Sequence, residues 1–383
     1  MEISIITEFD KFLALKEEWN RALKKSRSNT FFLTYEWLAN WWEFYGFGHK
    51  LFIIIIRERG EIIAAAPFMI KIQKFGPLVL YRRLQFIAHD VSDYMDLIIT
   101  GKEQECFELI FECVKNNQNC WNWAEFIYLP ATSPFLSYWR NQKDSKFRYF
   151  NEIIDISVFI DLDDCKDFDF YLRSLNKRVR NDINRQENNI RKIGELTMHV
   201  YTKSADITAV LSSFFELHKK RWADRGMPSQ FGDDRLRMRY ASLAKLLEKD
   251  SLIELDCLCL NSQVIALHYG FSYDNRFYWY TPTFNPDFQK YSPGKLLLAR
   301  VIKSSLGKGV KVFDLLRGGE RYKFFWTDKK IDLYKFVIIK PSYRSKIGYF
   351  LSVEIKRLLK GMPLAKEVKN FAVDRLRRWG KSA

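Results

Sequence analysis

The chain has 383 residues, 47% hydrophobic and 16% aromatic, which excludes the disordered class and supplies apolar side chains for packed cores. Its length exceeds the size at which single cores stop growing and predicts two domains. The net charge of +16 is uneven: residues 341–383 hold eleven Lys/Arg against three Asp/Glu, a pattern suited to phosphate groups, nucleic acid or an anionic membrane surface, and equally to a solvated basic helix.

The longest apolar stretches, Leu51 to Ile56 and Ile62 to Ile70, fall short of the roughly 20 residues a membrane span needs. The first ten residues are acidic at Glu2, Glu8 and Asp10 and do not read as a secretory signal. Cysteines at 106, 113, 120, 165, 257 and 259 form no C-x-x-C pair, and no histidine stands beside them at metal-ligand spacing. Free thiols, no metal and a cytoplasmic setting are the expectation.

In chain order, helices are predicted over Phe9 to Lys25 and Tyr35 to Phe44, then strands over Leu51 to Ile56 and Glu61 to Lys71 around the turn Arg57-Glu58-Arg59-Gly60. A strand near Arg83 to Ala88 leads into His89 to Asp96, which gathers a histidine and three carboxylates at a cleft between the halves. A helix from Lys102 to Lys115, a strand from Ala124 to Leu129, a helical patch over 134–141 and a strand from Ile153 to Ile160 follow. The second half repeats this order. Helices over 167–193, 205–225 and 234–249 precede strands over 253–260, 263–273 and 277–283. A helix over 293–308, a strand over 311–316, a short helix over 321–326 and a strand over 331–339 complete it. The expected architecture is α/β with mostly antiparallel sheets, internally duplicated, with a boundary near residue 160.

Three runs carry candidate chemistry. Leu172 to Ile193 reads as an amphipathic helix with Arg178, Arg185 and Lys192 recurring every seven residues, either a solvated face or a phosphate contact. In Gln289-Lys290-Tyr291-Ser292-Pro293-Gly294-Lys295, Ser and Pro mark a helix start, whose free N–H groups and dipole make an anion site that Gly294 lets a phosphate approach. Phe313 to Lys323 ends a strand in Gly318-Gly319 with Arg317, Glu320 and Lys323 around it, placed where α/β sheets hold ligands. His268 and His218 read as core residues or as bases.

The runs SLNKRVRNDINRQENNIRKIG, FFELHKKRW, YSPGKLLL and FDLLRGGERYKFFW, with SDYMDLI earlier, resemble the GNAT-type acetyltransferases associated with cellulose biosynthesis (the CelD-like family) over roughly residues 30 to 340. The resemblance implies a tandem duplicated GNAT fold related to the Fem-type peptidyltransferases. Residues 1–160 would be a non-catalytic GNAT-like domain, 161–340 the catalytic one, and 341–383 a basic amphipathic tail. The implied reaction moves an acyl group from acetyl-CoA, or another acyl-CoA, to an amine or hydroxyl of a sugar or amino-sugar precursor of a bacterial surface polysaccharide, with no permanently bound cofactor. Lys290, Ser292, Gly294 and Lys295 would hold the donor phosphates. Arg178, Arg317, Lys323, Asp93 and Tyr94 would bind acceptor, and His268, Asp314 and Glu320 are the candidate bases.

The phosphate loop departs from the family's Gln/Arg-x-x-Gly-x-Gly/Ala: Gln289 stands five residues before Gly294, and position 296 is Leu. Tyr322-Lys323-Phe324 is similar to a Phe-Lys segment of the Fem-type enzymes, whose donor is aminoacyl-tRNA, and this keeps a tRNA-dependent reaction as an alternative. A non-catalytic scaffold docked on the inner face of the membrane by residues 341–383 is the other.

Overall fold

The computed structural model describes residues 1–75, 77–141 and 147–350. In the first half, β1 (Glu2–Ile6), α1 (Phe9–Leu13), α2 (Lys16–Lys25) and α3 (Tyr35–Tyr45) precede the meander β2 (Lys50–Glu58), β3 (Glu61–Phe75) and β4 (Leu78–Phe86). Then come β5 (Ile98–Ile99), α4 (Glu103–Asn116), β6 (Trp123–Pro130), α5 (Pro134–Arg140) and β7 (Arg148–Asp161). The second half starts with α6 (Phe168–Ser174), α7 (Lys177–Arg191), β8 (Leu196–Tyr201), α8 (Ser204–Asp224) and α9 (Asp234–Glu248). It continues with β9 (Ile253–Leu260), β10 (Gln263–Tyr273), β11 (Arg276–Phe284), α10 (Pro293–Gly307), β12 (Val312–Arg317) and β13 (Lys330–Ile339).

The hairpins form where the sequence asks for them. Arg59-Gly60, Asn261-Ser262 and Asp274-Asn275 all take positive φ at both positions, the backbone that matches strand twist in a two-residue turn. Two predicted helices are broken. The first divides at Ala14–Leu15. The second divides at Leu175, which is extended, so that the Asn176 side chain caps the N–H of Arg178 at 2.9 Å. The helix expected over 321–326 is a 3-10 turn, Lys323–Phe325. Edge strands β1 and β8 have no sequence signal, being short and mixed in polarity.

Twelve strands form one path in the order β1-β2-β3-β4-β6-β13-β7-β12-β11-β10-β9-β8, with β5 beside β3, giving a mixed sheet of thirteen strands flanked by helices. The order is pseudo-symmetric about its middle. In each half three antiparallel pairs lead to one parallel pair, β4 with β6 and β11 with β12. The last strand of each half then crosses over: β13 pairs with β6, β7 pairs with β12, and β7 and β13 pair with each other along ten residues. One hydrophobic core draws on both halves, with Phe31 stacked on Phe271 at 4.0 Å, and a second belongs to the second half under α7 and α10. Among the described residues no helix is long and apolar enough to cross a membrane.

Candidate functional site

The parallel pair β11–β12 holds for only three registers, Arg276–Tyr278 against Val312–Asp314. Beyond them the strands part. On its other side β12 bulges against β7, and Leu316 takes a φ of 64°, a conformation uncommon for a branched side chain and one that concentrates at functional sites. α10 begins in the mouth of this opening. The same devices recur in the first half, where β4 and β6 pair at two positions and Tyr128 takes a φ of 61°. There the gap is filled: the N–H of Met95 donates to the Tyr128 carbonyl at 3.0 Å, so residues 93–97 occupy the place that stays open in the second half. What remains open in the second half is a cavity of about 430 Å³ between β11, α8, the start of α10 and the Tyr322–Trp326 turn that follows β12.

Its walls are mixed. Trp279, Phe284 and Trp326 supply apolar surface, Arg221, Arg225 and Lys295 supply charge, and Asp224 is the one carboxylate among the described residues that line it. Arg221 donates to the Pro282 carbonyl at 3.0 Å and lies over the Phe284 ring at 4.3 Å, while its Nε has no partner. Burial, helped by the nearby charge of Arg225, pulls Arg221 down to about 10. Lys295 is paired with Asp182 of α7. Tyr322 lines the same wall, and burial raises its phenol, so its O–H stays a neutral donor.

The helix start carries less than its sequence implies. Ser292 is the N-cap residue, but it sits in the left-handed region (φ 53°, ψ 50°) and its side chain caps nothing. Its carbonyl accepts from the N–H groups of Lys295 and Leu296, and Pro293 has none to offer, leaving the N–H of Gly294 free in the first turn. A Cβ at Gly294 would meet the Phe284 ring at 3.2 Å. Lys290 does not line the cavity; its ammonium rests 4.9 Å over the Tyr291 ring.

The remaining candidates lie around the cleft and not in it. His268 is fully buried, with Nδ1 2.9 Å from Asp256 and its ring stacked 3.8 Å from Trp279, one layer behind the cavity wall. Desolvation holds His268 neutral and pushes Asp256 up to about 7. Asp314 is sealed at the junction of the halves. It accepts from Tyr94 at 2.8 Å, Arg276 at 2.7 Å and the Leu316 N–H at 2.9 Å. Asp93 faces Arg317 across the same junction at 3.2 Å, and Arg317 lies 3.8 Å over Tyr128; burial lifts the Asp93 carboxyl to about 6.

Lys323, expected at a substrate phosphate, is buried against the carbonyls of Leu316, Arg317 and Gly318 at 2.9, 2.6 and 3.1 Å and against Glu320 at 2.9 Å. It holds the turn that follows the bulge. Arg178 lines a neighbouring hollow of about 630 Å³ that shares Phe325 and Trp326 with the cleft. Sequence reasoning passed over Arg221, Asp224 and Arg225, whose signal was the basic end of α8, and over Asp256, which has none. Among the described residues no cluster of His, Cys, Asp or Glu could hold a metal.

Residues 177–324, from α7 to the Lys323 turn, match the family profile of the acetyltransferase (GNAT) domain. Those residues of the second half form a GNAT acetyltransferase domain. With it comes the N-acyltransferase class of enzyme. No curated protein matches the sequence. Among solved structures, the fold is similar to that of FemX, with a TM-score of 0.63 and 12% identity over 88% of this chain and 97% of that one. It is also similar to L-PGS from Bacillus licheniformis (TM-score 0.51, 12% identity, 89% of this chain and 96% of the other). The third is the C-terminal domain of a protein from Agrobacterium fabrum ascribed to the lysylphosphatidylglycerol synthetases (TM-score 0.52, 12% identity, 90% and 96%). These likenesses cover both halves of the chain, so the mixed α/β fold with one large sheet flanked by helices is shared along its length.

Proposed function

We propose that this GNAT protein transfers an acyl group, acetyl in the simplest case, from acyl-CoA to an amine or hydroxyl acceptor in the cleft between β11, α8 and the start of α10. The observation that carries the reading is that this cleft is open and lined by three cations, while its first-half counterpart is filled by residues 93–97. The helix starts differ in the same sense: α4 opens with Glu103 and Glu105, which repel a phosphate, and α10 opens with no acid and with Lys295. Residues 1–160 are therefore assigned a supporting role and 161–340 the catalytic one; of the basic tail assigned to 341–383, residues 351–383 lie outside the described residues.

Donor pyrophosphate is assigned to the Gly294 N–H with Arg221, Arg225 and Lys295, where charge-assisted hydrogen bonds are strongest. Past Tyr278 the edge of β11 that faces β12 has no ladder partner, so its N–H groups are available to the thioester oxygen as charge develops there. The acceptor attacks the thioester carbon, its proton passes to Asp224, the C–S bond breaks, and the thiolate takes a proton from solvent. The Tyr322 O–H steadies the departing sulfur. His268 and Asp256 position Trp279, and Asp93, Tyr94, Arg317 and Asp314 join the two halves beneath the site. The resemblance to the cellulose-biosynthesis proteins is what points to a sugar or amino-sugar acceptor.

Aminoacyl-tRNA is the second reading for the donor. It is favoured by the likeness to FemX and by the neighbouring hollow, where Phe324 and Phe325 are partly exposed beside Arg178. Calorimetry of acetyl-CoA and of charged tRNA with nucleic-acid-free protein separates the two. Micromolar acetyl-CoA binding that disappears in Arg221→Ala/Lys295→Ala supports the first; binding of charged tRNA alone overturns it.

A further inference from the structure

The register row Lys50–Ile70–Leu84–Ala124–Ile338–Tyr149 crosses the first-half sheet and defines one end of it. The segments beyond that row expose apolar side chains that a water-facing surface would not select. Phe47, between two glycines in the loop from α3 to β2, is 99% exposed. At the start of β4, Leu78 and Leu80 are 63% and 52% exposed. After β13 the chain turns into a helix at residues 343–350, which packs inward through Ser345 and through Tyr349, 5.8 Å from Trp123. Its outer stripe, at spacing i, i+4, i+7, is Tyr343 (83% exposed), Ile347 and Phe350 (both 56%). Gly348 lies against Tyr81 of β4, so helix and hairpin are neighbours.

The charges around these side chains are of one sign. Lys50 on β2, Lys71 and Lys74 on β3, Arg82 on β4, and Arg344 and Lys346 on the helix belong to segments 46–50, 71–82 and 340–350, none of which contains an Asp or Glu. Glu43 on α3 and Asp90, which acts on His49, border them. Residues 351–383 continue directly from Phe350 with nine Lys/Arg against three Asp/Glu.

We infer that this end of the molecule is a membrane-docking face: Phe47, the Leu78–Leu80 tip and the Tyr343–Ile347–Phe350 stripe enter the interfacial layer of a bilayer, and the surrounding lysines and arginines contact anionic headgroups. Cations alone would fit any polyanion. Exposed apolar prongs set among them fit a surface that has a hydrocarbon layer under its phosphates, as interfacial helices do. The face lies on the first half, whose own cleft is filled, and so leaves the α10 cleft free to work at the same time.

The test is co-sedimentation of the full chain with phosphatidylcholine vesicles, with and without phosphatidylglycerol, with binding to RNA measured alongside. The wild type is expected to bind the anionic vesicles and not phosphatidylcholine alone. Phe47→Ser/Leu80→Ser/Ile347→Ser should weaken vesicle binding at least tenfold while leaving RNA binding unchanged. Lys74→Glu/Arg82→Glu should weaken it about fivefold per residue at low salt. Phe47→Ser alone, at a side chain outside the packed structure, should still cost several-fold without shifting the melting temperature. Undiminished vesicle binding by the apolar variants, or binding of RNA but not of vesicles, overturns the proposal. Vesicle binding needs no acyl donor, so its failure would leave the acyl-transfer reading standing, and failure of acetyl-CoA binding would leave this one standing.

Discussion

The ammonium of Lys323 has three donors and four oxygen acceptors within 3.1 Å, which leaves none for a substrate phosphate. Lys323→Met would strand the Leu316, Arg317 and Gly318 carbonyls without a partner, each worth about 1–3 kcal/mol when buried. A large fall in melting temperature is expected, with activity lost in step; an unchanged melting curve with lost turnover would return Lys323 to the substrate. Arg221 presents the opposite case, a cation with one nitrogen unpartnered on a cavity wall. Arg221→Ala should raise KM for acetyl-CoA by about ten- to a hundredfold, the range for losing a charged hydrogen bond, with little change in stability. Asp224→Asn should lower kcat by about a hundredfold or more with KM for the donor unchanged. The fourth residue-scale effect concerns pH. Asp96 is buried, and desolvation lifts its carboxyl to about 7, even though Leu97, Ser133 and Ser28 donate to it. A carboxyl with a raised folded value contributes stability that is complete below the unfolded value near 3.8 and is lost as pH rises through 7. Denaturant melts of the wild type should therefore weaken between pH 5 and pH 8 (about a few kcal/mol at most), and those of Asp96→Asn should weaken less.

At the scale of elements, the cleft depends on where strands stop pairing and where a helix starts. Ser292 begins α10 from the left-handed region with no side-chain cap, at a cost of about 1–2 kcal/mol for a residue with a Cβ. Ser292→Gly should therefore stabilise the protein slightly, whereas removing a true Ser cap would destabilise it. Gly294→Leu should act on function instead, since its side chain meets Phe284 inside the cavity; calorimetry should show acetyl-CoA binding weakened while the fold is kept. Much of this scale was readable beforehand. The three two-residue turns, the meanders and the start of α10 at Pro293 follow from local residue types. The break at Leu175 was missed because the apolar period of 172–193 runs through it; the signal was Asn176, whose side chain offers the next helix a cap.

At the scale of the molecule, the exchange of β7 and β13 ties the two halves into one sheet. Neither half is complete alone: residues 1–160 lack β13, the second partner of β6, and residues 161–340 lack β7, the second partner of β12. The shared core adds to this, with α3 packed on α9 and Asn40 bonded to Ser242 at 3.2 Å. Calorimetric unfolding of the full chain should give one cooperative transition, and residues 1–160 expressed alone should show no cooperative melt; two separate transitions would mean that the halves are independent. What the sequence determined by itself was the element order, its duplication and the α/β class, because turn residues and apolar period are local properties of the chain. The same local reading found the helix start beside the cleft. The tertiary structure alone decided which of the two matching gaps stays open. It also placed Arg221 and Asp224 on the wall of that gap and turned Lys323 and Asp314 into supports of the fold. Those outcomes rest on pairings such as Met95 with Tyr128, and Tyr94 with Asp314 220 residues away, and contacts at that separation leave no periodic trace in a sequence.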